Sequence, residues 1–203
     1  MTDLGTLLSY AGLIVFAASG AIAAAQSKHT IMEFVFFATV TAVGGGTLRD
    51  LLIGAPVFWI GSNAPLGTCL CTALLVWFLG ERFWNATILA WLDAIGLVAF
   101  SVLGAAKTLD GGYPALVAVA MGTLTGTFGG IVRDVLANRP SILLGREIYV
   151  SAATFAGACF VLLVKLGLPT MAAGSVGAAG GFVLRAGALV YDWKLPGYRE
   201  VKR

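Results

Sequence analysis

Hydrophobic positions fall in seven long runs along this chain, parted by short polar breaks. The breaks are Gln26-Ser27-Lys28-His29, Gly61-Ser62-Asn63, Glu81-Arg82, Asp110-Gly111-Gly112, Arg139-Pro140-Ser141 and Leu166-Gly167-Leu168-Pro169. The runs have the length needed to cross a bilayer as helices. They predict transmembrane helices at about 5–25, 31–53, 64–80, 88–107, 114–136, 147–166 and 169–190. No break is long enough to link two soluble domains. The expected fold is all-α: one transmembrane domain over residues 1–193, followed by a short basic tail, 194–203.

The runs repeat. Gly45 aligns with Gly129 at an offset of 129 − 45 = 84, and the same offset pairs Gly12 with Gly96, Phe16 with Phe100, Gly20 with Gly104, Thr39 with Thr123 and Pro56 with Pro140. From 12 to 56 the alignment has no gap, and 14 of its 45 positions are identical. Composition alone would give roughly four. Each repeat, about 5–80 and about 88–166, holds three predicted helices. An odd number of spans inverts the second copy, which places a pseudo-two-fold axis in the membrane plane. The seventh helix stands outside the repeat.

One motif occurs in both copies. The first is Gly44-Gly45-Gly46-Thr47-Leu48-Arg49-Asp50, with Pro56 beyond it; the second is Gly129-Gly130-Ile131-Val132-Arg133-Asp134, with Pro140 beyond it. The glycines have two readings. Small residues let transmembrane backbones touch. Adjacent glycines also favour a kink or break near mid-membrane, freeing carbonyls that could solvate a cation. The Arg-Asp pairs are costly in an apolar segment and mark either fold-locking ion pairs or function. Adjacent helical residues point about 100° apart, so each Arg need not pair with its own Asp. The Asp of one half could meet the Arg of the other and form a gate near each mouth.

Hydroxyls lie near both motifs: Thr39, Thr41 and Thr47 in the second run, Thr123, Thr125 and Thr127 in the fifth. Thr39 and Thr123 are candidate pore-lining residues. Asp93 near the start of the fourth run is either a helix cap or a gating group. Lys107 at its end is either a snorkelling side chain or a gating charge.

Composition narrows the class. Hydrophobic residues make up 59% of 203 and charged residues 11%, and the mean hydropathy is +0.91. Soluble domains carry about 25% charged residues. The net charge of +3 and the lack of a basic cluster among exposed aromatics argue against nucleic acid. Cys69, Cys71 and Cys159 have no CxxC spacing and read as buried small hydrophobes. His29 is the one histidine and reads as a loop residue. Ala21-Ile22-Ala23 mimics a signal-peptide cleavage site, but the leader has Asp3 and no Lys or Arg, so the run is expected in the mature fold. No nucleophile–base constellation, P-loop or dinucleotide fingerprint is present, so the chain does not read as an enzyme, and no cofactor or resident metal is expected.

Charge sets the expected orientation. One set of ends holds Lys28, Arg82, Arg139, Arg146, Lys194, Arg199, Lys202 and Arg203; the other holds Lys165, with Lys107 and Arg49 near helix ends. The first set is expected in the cytoplasm of a cell (plasma) membrane protein, with the N-terminus outside and the C-terminus inside. Trp59, Trp84, Trp91 and Trp193 fall near predicted helix ends, as an interfacial belt requires.

The duplicated Gly-Gly-x-x-Arg-Asp units, the prolines after them and the three-plus-three-plus-one plan resemble the prokaryotic TRIC (trimeric intracellular cation channel) family over about 5–190. The resemblance implies a homotrimer among membrane lipids, each subunit with its own pore for potassium and also sodium. It implies that glycine-kinked helices two and five flank that pore, through Gly44, Gly45, Gly46, Arg49 and Asp50, and Gly129, Gly130, Arg133 and Asp134. Phe128 departs from the pattern, standing where Gly44 stands in the first copy. The Lys-Glu-Val tripeptide that animal members use with phosphoinositide is absent. The residues themselves leave two other readings open. Inverted repeats with broken helices also mark secondary transporters of small solutes or ions, and a non-transporting scaffold would use the motifs only to lock the fold.

Overall fold

A computed structural model describes residues 3–80, 84–141 and 147–196. Glu81, Arg82, Arg146 and the tail beyond Pro196, with Arg199, Lys202 and Arg203, lie outside the described residues. Seven helices are present among the described residues: α1 (Asp3–Gln26), α2 (Ile31–Leu52), α3 (Ala64–Leu79), α4 (Ala86–Asp110), α5 (Ala115–Leu136), α6 (Val150–Lys165) and α7 (Thr170–Tyr191). Local chemistry fixes their starts. The Thr30 backbone N–H donates to Glu33 at 2.6 Å ahead of α2. Pro65 occupies the first turn of α3. Asn85 caps α4, its side chain accepting from the Ile88 N–H at 2.8 Å. Asp93 is therefore not the cap of α4.

Five helices, α1, α2, α4, α5 and α7, are long and apolar enough to cross a membrane. The third helix of each repeat is shorter than expected. Both α3 and α6 have 16 residues, about 24 Å of rise, against the ~20 residues that a full span needs. α6 starts at Val150 rather than 147 because Glu147 pairs across a β-bridge with Lys194, just past α7. α4 runs on past Lys107 to Asp110, ending at Gly111 and Gly112, the latter at φ +81°.

Reciprocal contacts build the pseudo-two-fold. α1 and α4 pack side by side, with Phe16 and Phe100 stacked at 5.2 Å between ring centroids. A Cβ on Gly12 would meet the Phe100 ring, and one on Gly96 the Phe16 ring. α2 and α5 cross beside them. α3 joins α1 and α2, α6 joins α4 and α5, and α7 packs on α6 and α4. Ala21, Ile22 and Ala23, the mimic of a cleavage site, are buried in the core.

The crossing of α2 and α5 decides what the glycines do. A Cβ on Gly45 would overlap the Thr125 carbonyl oxygen, and one on Gly129 the Thr41 carbonyl oxygen. These are the same two positions of the repeat, exchanged. The glycines let two backbones touch. The expected break does not occur, since α2 and α5 stay α-helical through Gly44–Gly46 and Gly129-Gly130. Of the cysteines, Cys69 is buried, Cys159 half-buried and Cys71 exposed on the outward side of α3, against the expectation that all three are core. His29 lies in the α1–α2 loop as expected, its Nδ1 3.2 Å from Glu33.

Candidate functional site

Each Arg-Asp motif ends its helix inside a buried polar cluster. In the first, Arg49 Nε and Nη2 both donate to Asp50 Oδ1, at 2.9 and 2.8 Å. Lys107 Nζ, from the last turn of α4, donates to the same oxygen at 2.8 Å. Asp50 Oδ2 accepts from the Phe58 backbone N–H at 3.1 Å. Asp50 is fully buried. The charge of Lys107 is spent on a partner 57 residues away rather than on snorkelling alone.

In the second cluster Arg133 Nε and Nη2 donate to Asp134 Oδ1 at 3.0 and 2.8 Å. Its Nη1 donates to Asp93 Oδ1 at 2.5 Å and to Ser19 Oγ at 3.1 Å. Arg133 and Asp93 are both fully buried. Fork-shaped donation of this kind suits guanidinium and not ammonium.

Each Arg thus pairs with its own sequence neighbour, and the Arg of one half does not meet the motif Asp of the other. The link between halves is made by α4 and α1 instead. Lys107 of the second repeat reaches Asp50 of the first, and Ser19 of the first reaches Arg133 of the second. Asp93 and Lys107 are 14 positions apart on one helix, about 21 Å along its axis. The clusters therefore sit at opposite ends of the bundle, as inversion requires.

The remaining glycines admit aromatic caps. A Cβ on Gly46 would lie 2.7 Å from the Phe58 ring, and one on Gly130 2.5 Å from the Tyr149 hydroxyl and 3.2 Å from Asp93 Oδ1. Gly44 has only ordinary contact with Phe128, 3.8 Å from its ring. Of the candidate threonines, Thr123 bonds the Val119 carbonyl at 2.9 Å and Thr154 of α6 at 3.2 Å, away from both clusters. Thr39 is half-buried on α2.

Ser19, Phe58, Tyr149 and Arg185 escaped the sequence reading. Arg185 of α7 is fully buried. It donates to Glu147 at 2.8 Å and lies 5.2 Å over the Tyr149 ring. Phe58 and Tyr149 are the aromatics that follow each motif, which is the signal that would have found them.

Lys107→Met is expected to cost under about 1 kcal/mol, because its side chain is 37% exposed and Asp50 keeps its other donors. Thermal unfolding in detergent measures this, and the small difference should shrink further as salt rises.

Comparison with known proteins follows the same geometry. The family model described as glycine transporter matches twice, over residues 6–81 and 90–165, which is the 84-residue repeat itself. A UPF0126 membrane protein of Vibrio cholerae is 36% identical, over 99% of this chain and 85% of that protein. The UPF0126 membrane protein YvgT of Bacillus subtilis is 36% identical, over 94% of each. Among solved structures, the TRIC trimeric intracellular cation channel orthologue from Rhodobacter sphaeroides is 40% identical, with a TM-score of 0.91 over 95% of this chain and 100% of that one. A second TRIC cation channel is 27% identical, with a TM-score of 0.86 over the full length of both. The likeness extends over nearly the whole chain in both sequence and fold: the chain is a multi-pass membrane protein that belongs to the bacterial TRIC family, and the glycine transporter model matches it once in each half.

Proposed function

We propose that the protein is a passive channel for monovalent cations, chiefly potassium and also sodium. It works as a homotrimer with one pore per subunit. The likeness to the Rhodobacter sphaeroides channel at 40% identity across 95% of the chain carries this reading. Helices α2 and α5 flank the path, and the two Arg-Asp clusters govern its mouths. The protein lies in the cell membrane among lipids, N-terminus outside and C-terminus inside. The Arg49–Asp50 cluster then stands at the outer end and the Arg133–Asp134 cluster at the inner end.

The chemistry of the outer end supports a gating role. An arginine beside a cation path repels its cargo unless a carboxylate answers it. Asp50 answers two cations, Arg49 and Lys107. In planar bilayers with a potassium chloride gradient, purified protein is expected to show discrete steps reversing near the potassium potential. Asp50→Asn, in protein shown to be folded, should lower potassium conductance by about tenfold, since it leaves both cations unopposed. Unchanged conductance would remove Asp50 from the path.

A second reading has its own observation. The matching family is described as glycine transporter, and inverted repeats also suit alternating access. On that reading a small amino acid such as glycine crosses in a carrier cycle. Saturable glycine uptake into liposomes, with silence in the bilayer, would establish it.

A further inference from the structure

The loop between α1 and α2 carries a charge that the fold does not answer. Lys28 ends α1 in the left-handed conformation, at φ +56°. The repeat offset, 112 − 28 = 84, sets it against Gly112, which ends α4 at φ +81°. Glycine adopts that conformation freely, whereas a residue with a Cβ is strained there. Lys28 makes no ion pair among the described residues. The carboxylate of the same loop is already engaged. Glu33 Oε2 accepts from the Thr30 N–H and from the Thr30 hydroxyl, and Oε1 lies 3.2 Å from His29. Arg139, just past α5, reaches the same loop and donates to Gln26 Oε1 and Ser27 Oγ, both neutral. Glu81 and Arg82, outside the described residues, sum to no charge.

Lys28 also lines two cavities. One, of about 430 Å³, is walled by His29, Phe34 and Trp77. The other, of about 170 Å³, is bounded by Gln26 and Trp84. The first has the size of a small-molecule site, about 300–1,000 Å³. Its walls are held. Trp77 packs edge-on against Phe34 at 4.8 Å, and Trp84 Nε1 donates to the Val76 carbonyl at 3.1 Å. His29 is fixed by Glu33 and the Phe37 ring, so it serves as wall and Lys28 as the charged group.

We propose that Lys28 and the cavities it lines bind a phosphate group, carried by an anionic lipid headgroup or free in solution. Two cations, Lys28 and Arg139, meet no carboxylate here, and a lysine binds phosphate as a point charge. Tryptophans lie at the depth of lipid headgroups, which is where such phosphates are. Membrane orientation asks for a cation somewhere in this loop. It does not ask that the cation take a strained position at the rim of a cavity. The other repeat has no such site, since Asp110 stands opposite Gln26 and Gly112 opposite Lys28. The inference goes beyond the transport reading and holds for channel and carrier alike.

The test uses the full chain in detergent. Thermal unfolding is followed while phosphatidylglycerol, phosphatidylcholine or inorganic phosphate is titrated in at constant ionic strength. Wild type should be protected saturably by phosphatidylglycerol or by phosphate, and not by phosphatidylcholine, whose ammonium cancels the charge. Protection by the lipid alone assigns a headgroup, and protection by inorganic phosphate assigns a free anion. Lys28→Gly should unfold at a higher temperature than wild type without ligand, because glycine suits φ +56°. Its half-saturating concentration should nevertheless rise about fivefold, the usual contribution of one lysine at an anionic lipid surface. Lys165→Gln, which removes an exposed cation from the last turn of α6, should leave half-saturation unchanged. Crystals soaked in tungstate, a phosphate mimic, should show an anomalous peak against Lys28. The proposal is overturned if Lys28→Gly keeps the wild-type half-saturation, or if Lys165→Gln raises it equally. Equal protection by phosphatidylcholine and phosphatidylglycerol, or a tungstate peak elsewhere, would overturn it too.

Discussion

Arg133→Met is expected to lower stability by about 3–5 kcal/mol, the cost of taking the guanidinium away from the fully buried Asp93 carboxylate. Asp93 and Asp134 both lose their guanidinium contact in this variant, and Asp93 loses its one ion-pair partner among the described residues. Arg49→Met should be milder. Asp50 would still hold Lys107 at 2.8 Å and the Phe58 N–H at 3.1 Å. Arg133→Lys should not restore the loss, because an ammonium cannot reproduce the fork that spans Asp134, Asp93 and Ser19. Thermal unfolding and folded yield in detergent measure all three. Equal losses for Arg49→Met and Arg133→Met would show that the two clusters are not anchored differently.

Gly45→Ala and Gly129→Ala should each cost about 1–3 kcal/mol or more. The added methyl would run into the Thr125 and Thr41 carbonyl oxygens respectively, and backbone cannot rotate aside as a flexible side chain can. Gly44→Ala is the internal control. Its Cβ would find only the Phe128 ring at 3.8 Å, so a gain of up to ~1 kcal/mol in helix propensity is left uncancelled. Similar behaviour of all three variants would mean that the α2–α5 crossing does not depend on close backbone approach.

Much of the architecture could be read from spacing. The offset of 84 residues located both motifs and both repeats, because duplicated helices keep their register. Helix ends shifted where tertiary contacts intervened, as at Glu147, which bridges to Lys194 instead of starting α6. The glycines carried two readings, and the structure bears out close packing and shows no break. Sequence shows that a side chain is missing but not what occupies the space. At Gly45 and Gly129 a neighbouring carbonyl fills it.

The candidate site was half legible. The Arg-Asp pairs, Asp93 and Lys107 stood out as charges in apolar runs. Their partners depended on packing that one sequence does not encode locally. Nothing near Asp93 indicates Arg133, 40 residues on. Phe58 and Tyr149 cap equivalent glycines, Gly46 and Gly130, from different positions of the repeat register, so the 84-residue offset does not pair them. Arg185 was hidden because α7 stands outside the repeat.

The length of α4 between Asp93 and Lys107 has a mechanical consequence. An α-helix hardly stretches, since its rise is fixed at about 1.5 Å per residue. Both of its ion pairs are closed, Lys107 on Asp50 and Asp93 on Arg133. A slide or a rotation of α4 therefore displaces both side chains together, and the helix works as a tie rod that makes each end of the subunit feel a movement at the other.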